Sequence, residues 1–242
     1  MRLLEYGGDE ELSIVEFNED TKPPYAILSH RWGAEADEVT FEDVAGNMGK
    51  NKPGYAKIRF CGEQAQRDGL QYFWGDTCCI NKANKAELSL AIQSMFRWYR
   101  NSARCYVYLS DVSSRPLDTT PACNPQESQL QRTDRFTWIW ILLFIYPILR
   151  WYHIIIRRFL VVLNVSGPQA YESKVEKSEW FTRGWTLQEL LAPSSVEFFS
   201  REWEKLGDKR SLIQQVQEVT GIPRSALQGV PLSEFSINKR LR

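Results

Sequence analysis

Tyr25-Ala26-Ile27-Leu28-Ser29-His30-Arg31-Trp32-Gly33 joins four apolar residues to an abruptly polar loop. That order predicts a buried strand whose carboxyl end opens into a loop. Pro23 and Pro24 mark its start. Downstream, Tyr55, Ile58 and Ala65 share the stretch from Pro53 to Gly69 with Lys57, Glu63 and Arg67. This suits a helix begun by proline and stopped by glycine. Leu70 to Trp74 reads as a second strand, followed directly by Gly75-Asp76-Thr77. Asn84 with Glu87 three residues on resembles a helix-entry cap, after which Leu88, Ala91, Ile92, Met95, Phe96 and Tyr99 recur at helical spacing. Cys105 to Leu109 makes a third strand ending in Ser110-Asp111, and Val196 to Phe199 a fourth, after a helical run from Trp185 to Leu191.

Short apolar runs alternating with amphipathic ones predict an α/β fold with a parallel sheet and crossover helices. In such sheets the carboxyl ends of the strands share one edge, and ligands bind there. Ser29, His30, Asp76, Ser110 and Asp111 are therefore expected to converge. The first residues, Met1 to Pro24, hold Leu3-Leu4 and Ile14-Val15 around Gly7-Gly8, which predicts a small hairpin packed on the domain.

With 43% hydrophobic and 25% charged residues, the 242-residue chain can bury a real core. Lysine plus arginine equals aspartate plus glutamate at 30 each, which removes the footprint of a protein that grips nucleic acid non-specifically. The five cysteines form no CxxC pair and no apolar leader precedes Tyr25, so neither a metal site nor secretion is indicated and a reducing cytoplasm is expected. Cys78-Cys79 reads as buried packing, since neighbouring cysteines rarely reach disulfide geometry. Asp76 and Asp111 read equally as site residues or as caps of the turns after their strands.

Thr137 to Leu149 is almost wholly apolar, and extension to Ile156 gives about the 20 residues of a membrane span, broken by Pro147, Arg150 and His153. A single span here separates Ser29 and Asp76 from Glu189 across a bilayer, so one span and one domain are incompatible. Three readings stay open: an insertion that docks on the domain or touches a membrane through residues 137–163, a span in a degenerate product, or translated non-coding sequence. Its edges, Ser113 to Arg135 and Ser166 to Ser178, are rich in polar and charged residues and are expected to be flexible.

Three segments together resemble the fungal heterokaryon-incompatibility (HET) domain family: Tyr25 to Gly33, Trp74-Gly75-Asp76-Thr77-Cys78-Cys79-Ile80-Asn81-Lys82, and Arg183-Gly184-Trp185-Thr186-Leu187-Gln188-Glu189-Leu190-Leu191-Ala192-Pro193. Glu38 to Phe41, Met95 to Tyr99 and Cys105 to Asp111 agree as well. On this resemblance, residues 1–113 form the first part of the domain, 114–177 an apolar helical insertion, and 178–242 a remainder that is short at its end. The resemblance implies a Toll/interleukin-receptor (TIR)-like, flavodoxin-like sheet with flanking helices, and a signalling role in self/non-self recognition that ends in cell death. It also implies self-association and a nucleotide-binding STAND-type signalling ATPase as partner. Some TIR domains cleave NAD with one glutamate in a Trp-x-x-x-Glu segment, and Trp185 and Glu189 have that spacing. Residues four apart lie on one helix face, so an indole and a carboxylate can border one pocket. The implied assignment makes Glu189 catalytic, Ser29, His30, Arg31, Trp32, Asp76 and Trp185 nucleotide-binding, and NAD the substrate, with no bound cofactor. The rival readings are a non-enzymatic self-associating adaptor and an inactive fragment. Gly75 and Asn81 depart from the family pattern, which usually has a bulkier apolar residue and an aspartate there.

Overall fold

A computed structural model describes residues 1–7, 11–115, 175–231 and 234–235. The expected apolar insertion, with the stretch 137–163, lies outside the described residues. The elements are β1 (Arg2–Tyr6), β2 (Leu12–Glu16), β3 (Tyr25–His30), α1 (Phe41–Ala45), α2 (Tyr55–Arg67), β4 (Tyr72–Trp74), α3 (Lys85–Asn101) and β5 (Arg104–Tyr108). After the undescribed segment come α4 (Thr186–Leu191), β6 (Val196–Phe199), β7 (Lys205–Asp208), α5 (Ile213–Thr220) and α6 (Arg224–Leu227). Short 3-10 turns cover Glu35–Asp37 and Glu179–Thr182.

All seven strands form one sheet in the order β2-β1-β4-β3-β5-β6-β7. The four central strands run parallel, whereas β1, β2 and β7 pair antiparallel at the two edges. The predicted α/β class is therefore found in a mixed, mostly parallel sheet. Every residue of β3 is buried, as an unbroken apolar run in the middle of a sheet covered on both faces requires. Successive strand residues point to opposite faces. Phe73 meets α2 at Gly62, and the next residue, Trp74, packs against Trp98 and Tyr99 of α3. So α2 and α3 cover opposite faces. The chain passes from β3 to β4 on one side and returns to β5 on the other, which puts the topological switch point beside β3.

The predicted hairpin is a pair of sheet strands, with Leu3 and Leu4 both fully buried and Leu4 in register with Phe73. The second predicted strand is shorter than expected, Tyr72–Trp74, because past Gly69 at φ +75° the Leu70 N–H still donates to the Ala65 carbonyl at the end of α2. The helix entered at Asn84 is capped as expected: the Asn84 side chain accepts from the backbone N–H groups of Ala86 and Glu87. Its stripe is rotated from the predicted one. Ala91, Met95, Trp98 and Tyr99 face the core, whereas Ile92 and Phe96 face solvent.

The predicted flexible edges of the insertion are anchored where they are described. Glu202 accepts from the Ser113 hydroxyl at 2.8 Å and the Ser114 N–H at 3.0 Å, and Val175 is fully buried. Among the described edge residues, the hydroxyls of Ser113 and Ser114 donate to Glu202 and that of Ser178 to Asp111. Among the described residues, no helix is long and apolar enough to cross a membrane.

Candidate functional site

Ser29 and His30 are the last two residues of β3, and their alternation sends them to opposite faces of the sheet. The expected convergence therefore holds for the edge and fails for the side chains, which divide into two clusters.

On the α3/α4 face, the Ser29 hydroxyl donates to Glu189 Oε2 at 2.6 Å and accepts from Trp180 Nε1 at 2.9 Å. Arg183 closes a two-point pair, Nη1 to Oε2 at 3.2 Å and Nη2 to Oε1 at 3.3 Å. Glu189 is only 3% exposed. Burial raises its pKa above the ordinary carboxylate range, and Arg183 and the Ser29 hydrogen bond oppose that rise without cancelling it. Asp76 pushes the same way as burial and His30 against it, so both lie within electrostatic reach of Glu189. Thr186 donates to the Trp180 carbonyl at 2.6 Å, tying α4 to the 3-10 turn before it.

Trp185 does not join this cluster. It stands at the entry of α4, where the helical one-face rule has not yet taken hold, and is 45% exposed while Glu189 is buried. The indole beside the carboxylate is Trp180, nine residues before it in the chain. The sequence assigns neither Trp180 nor Arg183 a site role: the contact of Trp180 with Ser29 spans 151 residues and leaves no trace in local spacing, whereas Arg183 opens the Arg183–Pro193 motif six residues before Glu189.

On the α2 face, His30 is 2% exposed, and its Nε2 lies 3.6 Å from Glu38 Oε2 without a hydrogen-bond partner. Glu38 Oε1 accepts from the Gly33 N–H at 2.5 Å and from Lys57 Nζ. Burial pushes the Glu38 pKa up, but the neighbouring His30, the Gly33 amide and Lys57 outweigh it and hold the carboxyl at about 2. Gly54 is required here: a Cβ on it would lie 2.6 Å from the Asp37 carbonyl oxygen. A groove of about 560 Å3 opens over this cluster, bordered by Arg31, Trp32, Glu38, Gly54, Lys57 and Ser110. Glu38 and Lys57 are further site residues that periodicity did not reveal.

Between the clusters, Trp32 donates from Nε1 to Asp76 Oδ2 at 2.9 Å, and Lys82 lies 3.8 Å over its ring. The other Asp76 oxygen is buried without a partner. Arg31 pairs with Glu179. Asp111 is a cap, accepting from the Ser178 hydroxyl at 2.8 Å and the Glu179 N–H at 2.7 Å. Asn81 also acts as a turn former, its side-chain oxygen accepting from the N–H groups of Ala83 and Asn84, a role in which asparagine and aspartate are equivalent. At Gly75 the missing side chain is replaced by Ile58, whose Cδ1 would lie 3.2 Å from a Cβ. Cys61, Cys78, Cys79 and Cys105 are free and buried. Among the described residues, no three His, Cys, Asp or Glu side chains are grouped to hold a metal ion.

The model of the heterokaryon incompatibility protein (HET) family matches residues 25–189, from the first residue of β3 to the buried glutamate. Vegetative incompatibility protein HET-E-1 of Podospora anserina is 44% identical over 242 residues, all of this chain and 14% of that protein. The chain thus spans about one-seventh of the length of that relative. No solved structure matches the chain. With the family pattern covering most of its length, and a relative of this identity aligned along the whole of it, the chain belongs to the heterokaryon incompatibility (HET) protein family.

Proposed function

We propose that this chain is a signalling domain in fungal vegetative incompatibility that promotes cell death, and that its activity is cleavage of NAD at Glu189. The observation that carries the reading is the placement of Glu189 against Ser29 at the carboxyl end of β3, beside the switch point of the sheet. The strand order β4-β3-β5-β6 supports the TIR-like, flavodoxin-like comparison, since it places the second parallel strand outside the first and the third on the other side.

In this reaction the bond between ribose C1′ and the nicotinamide nitrogen breaks, and its electron pair leaves with nicotinamide, which departs neutral. No general acid is needed. The sugar becomes oxocarbenium-like, as in glycoside hydrolysis, and an ionised Glu189 stabilises it. Water then attacks C1′ and releases a proton, giving ADP-ribose. Arg31, Trp32 and Asp76 near the same edge are the proposed nucleotide contacts with Ser29 and His30, and the exposed Trp185 is left out of the proposed ring contacts. Because Arg183 pairs with both oxygens of the buried Glu189, this reading requires Arg183 to swing away for substrate to reach the carboxylate.

A second reading, a self-associating adaptor without catalysis, is favoured by a different observation. Glu189 is fully paired and enclosed, whereas Trp185 and Leu187 on α4 and Ile92 and Phe96 on α3 are 40–53% exposed. Such surface apolar groups suit association, including with a STAND-type ATPase.

NAD consumption by the full chain, concentrated on a crowding scaffold, separates the two. Turnover that disappears in Glu189→Ala is expected, with the folded state of the variant verified by circular dichroism. Absence of turnover by folded, associated wild-type protein overturns the enzymatic reading and leaves the adaptor.

A further inference from the structure

We infer that the amino-terminal edge of the sheet holds a second site, on the edge opposite Ser29 and His30, that takes a small organic phosphate carried on an apolar body. Lys209 is the starting point. It is 7% exposed, yet among the described residues no carboxylate lies within ion-pair distance of its ammonium. Its Nζ donates to the carbonyls of Leu190 at 3.2 Å and Pro193 at 2.8 Å, at the end of α4. An ammonium has three donors, so one stays uncommitted. A buried cation without a counter-ion is costly.

Lys209 lines a groove of about 1070 Å3. Arg100, at the end of α3, stands on the same groove with Arg210 and Arg224. Among the described residues none of the three guanidinium groups has an ion-pair or hydrogen-bond partner and no Asp or Glu lines the groove, although the Arg210 backbone N–H donates to Asp208 Oδ1 at 2.9 Å beside it. In a chain with 30 cations and 30 anions, four cations without an acid is a local segregation of charge. Phe96, Leu191 and Leu227 supply apolar wall between them, and Phe96 is 40% exposed at the rim.

The volume lies just above the roughly 300–1,000 Å3 of small-molecule sites in general, which are mostly apolar with a few placed charges. Four positive charges exceed what one carboxylate neutralises. Guanidinium forks match phosphate oxygens in two-point geometry. The class that fits is a multiply charged phosphate with an apolar or aromatic body, of which a nucleoside triphosphate is the simplest probe.

The test is isothermal titration of the full chain with ATP, inorganic pyrophosphate and adenosine, without added metal. ATP is expected to bind, pyrophosphate more weakly, and adenosine not measurably. The exposed double variant Arg100→Ser/Arg224→Ser is expected to fold normally and weaken ATP binding by about tenfold or more. Glu189→Gln is expected to leave it unchanged. The inference is overturned by folded protein that binds neither phosphate, by undiminished binding in the arginine variant, or by loss of binding in Glu189→Gln, which puts the ligand on the other edge. Equal affinity for pyrophosphate and ATP removes the apolar body from the assignment. Since the two sites lie on opposite edges, absence of NAD turnover leaves this result intact.

Discussion

At Glu189 and Glu38 two buried carboxylates reach opposite electrostatic outcomes. Glu38 has Lys57, the Gly33 amide and His30 close by, and its carboxyl is held at about 2. Glu189 is more deeply enclosed, and one arginine with one hydroxyl does not offset the loss of water. A carboxyl whose folded-state pKa lies above its unfolded value contributes its stability fully below the unfolded value, and loses it as pH rises through the folded value. The ionised Glu189 therefore weighs against folding at neutral pH. Glu189→Gln keeps an acceptor for Ser29 and Arg183 and removes that burden. Thermal melts of the two proteins at pH 4 and pH 7 are expected to show the variant gaining on wild type as pH rises, ending within about 1 kcal/mol of it or above. A loss of several kcal/mol that grows from pH 4 to pH 7 would mean that the Arg183 ion pair stabilises the fold outright.

At the scale of elements, α2 owes its close approach to the sheet to Gly62. A Cβ there would lie 2.7 Å from Phe73 Cζ and would also strike the Tyr6 ring. In an exposed helix interior alanine is favoured over glycine by about 1 kcal/mol. Here the two aromatic rings are fixed by β1 and β4, so crowding wins. Gly62→Ala is expected to lower stability by about 1–3 kcal/mol in urea unfolding. An unchanged or raised midpoint would show that α2 can slide on the sheet. The shift of the α3 stripe is also an element-scale effect. Ile92 and Phe96 fit the helical period, but the sheet takes the side bearing Trp98 and Tyr99, which bury more area against Trp74 and β3.

For the whole molecule, the fold is completed from two stretches separated by residues 116–174. Asp111, after β5, holds Ser178 and Glu179, and Glu202, after β6, holds Ser113 and Ser114. The ends of the interruption are thus pinned by groups of the domain itself. Replacing residues 116–174 with a short glycine-serine linker is expected to preserve a single cooperative thermal transition within a few degrees of wild type, since roughly 1 kcal/mol corresponds to 2–4 °C at this size. Loss of cooperativity would assign the segment a structural role in the sheet.

The sequence by itself determined the α/β class, the order of the parallel strands' elements, the caps at Asn84 and Gly69, and the family, because each of these is written in local spacing or contiguous motifs. It also singled out Ser29 and Glu189. What it left undecided was which residues meet. Strand alternation separated His30 from Ser29, the entry geometry of α4 turned Trp185 outward, and Trp180, Arg183, Glu38 and Lys57 took the places around the two carboxylates. The edge strand β7 and the four-cation groove were equally hidden. Those outcomes depend on which side chains meet, over separations that run from the six residues between Arg183 and Glu189 to the 151 between Ser29 and Trp180, and only packing in three dimensions decides them.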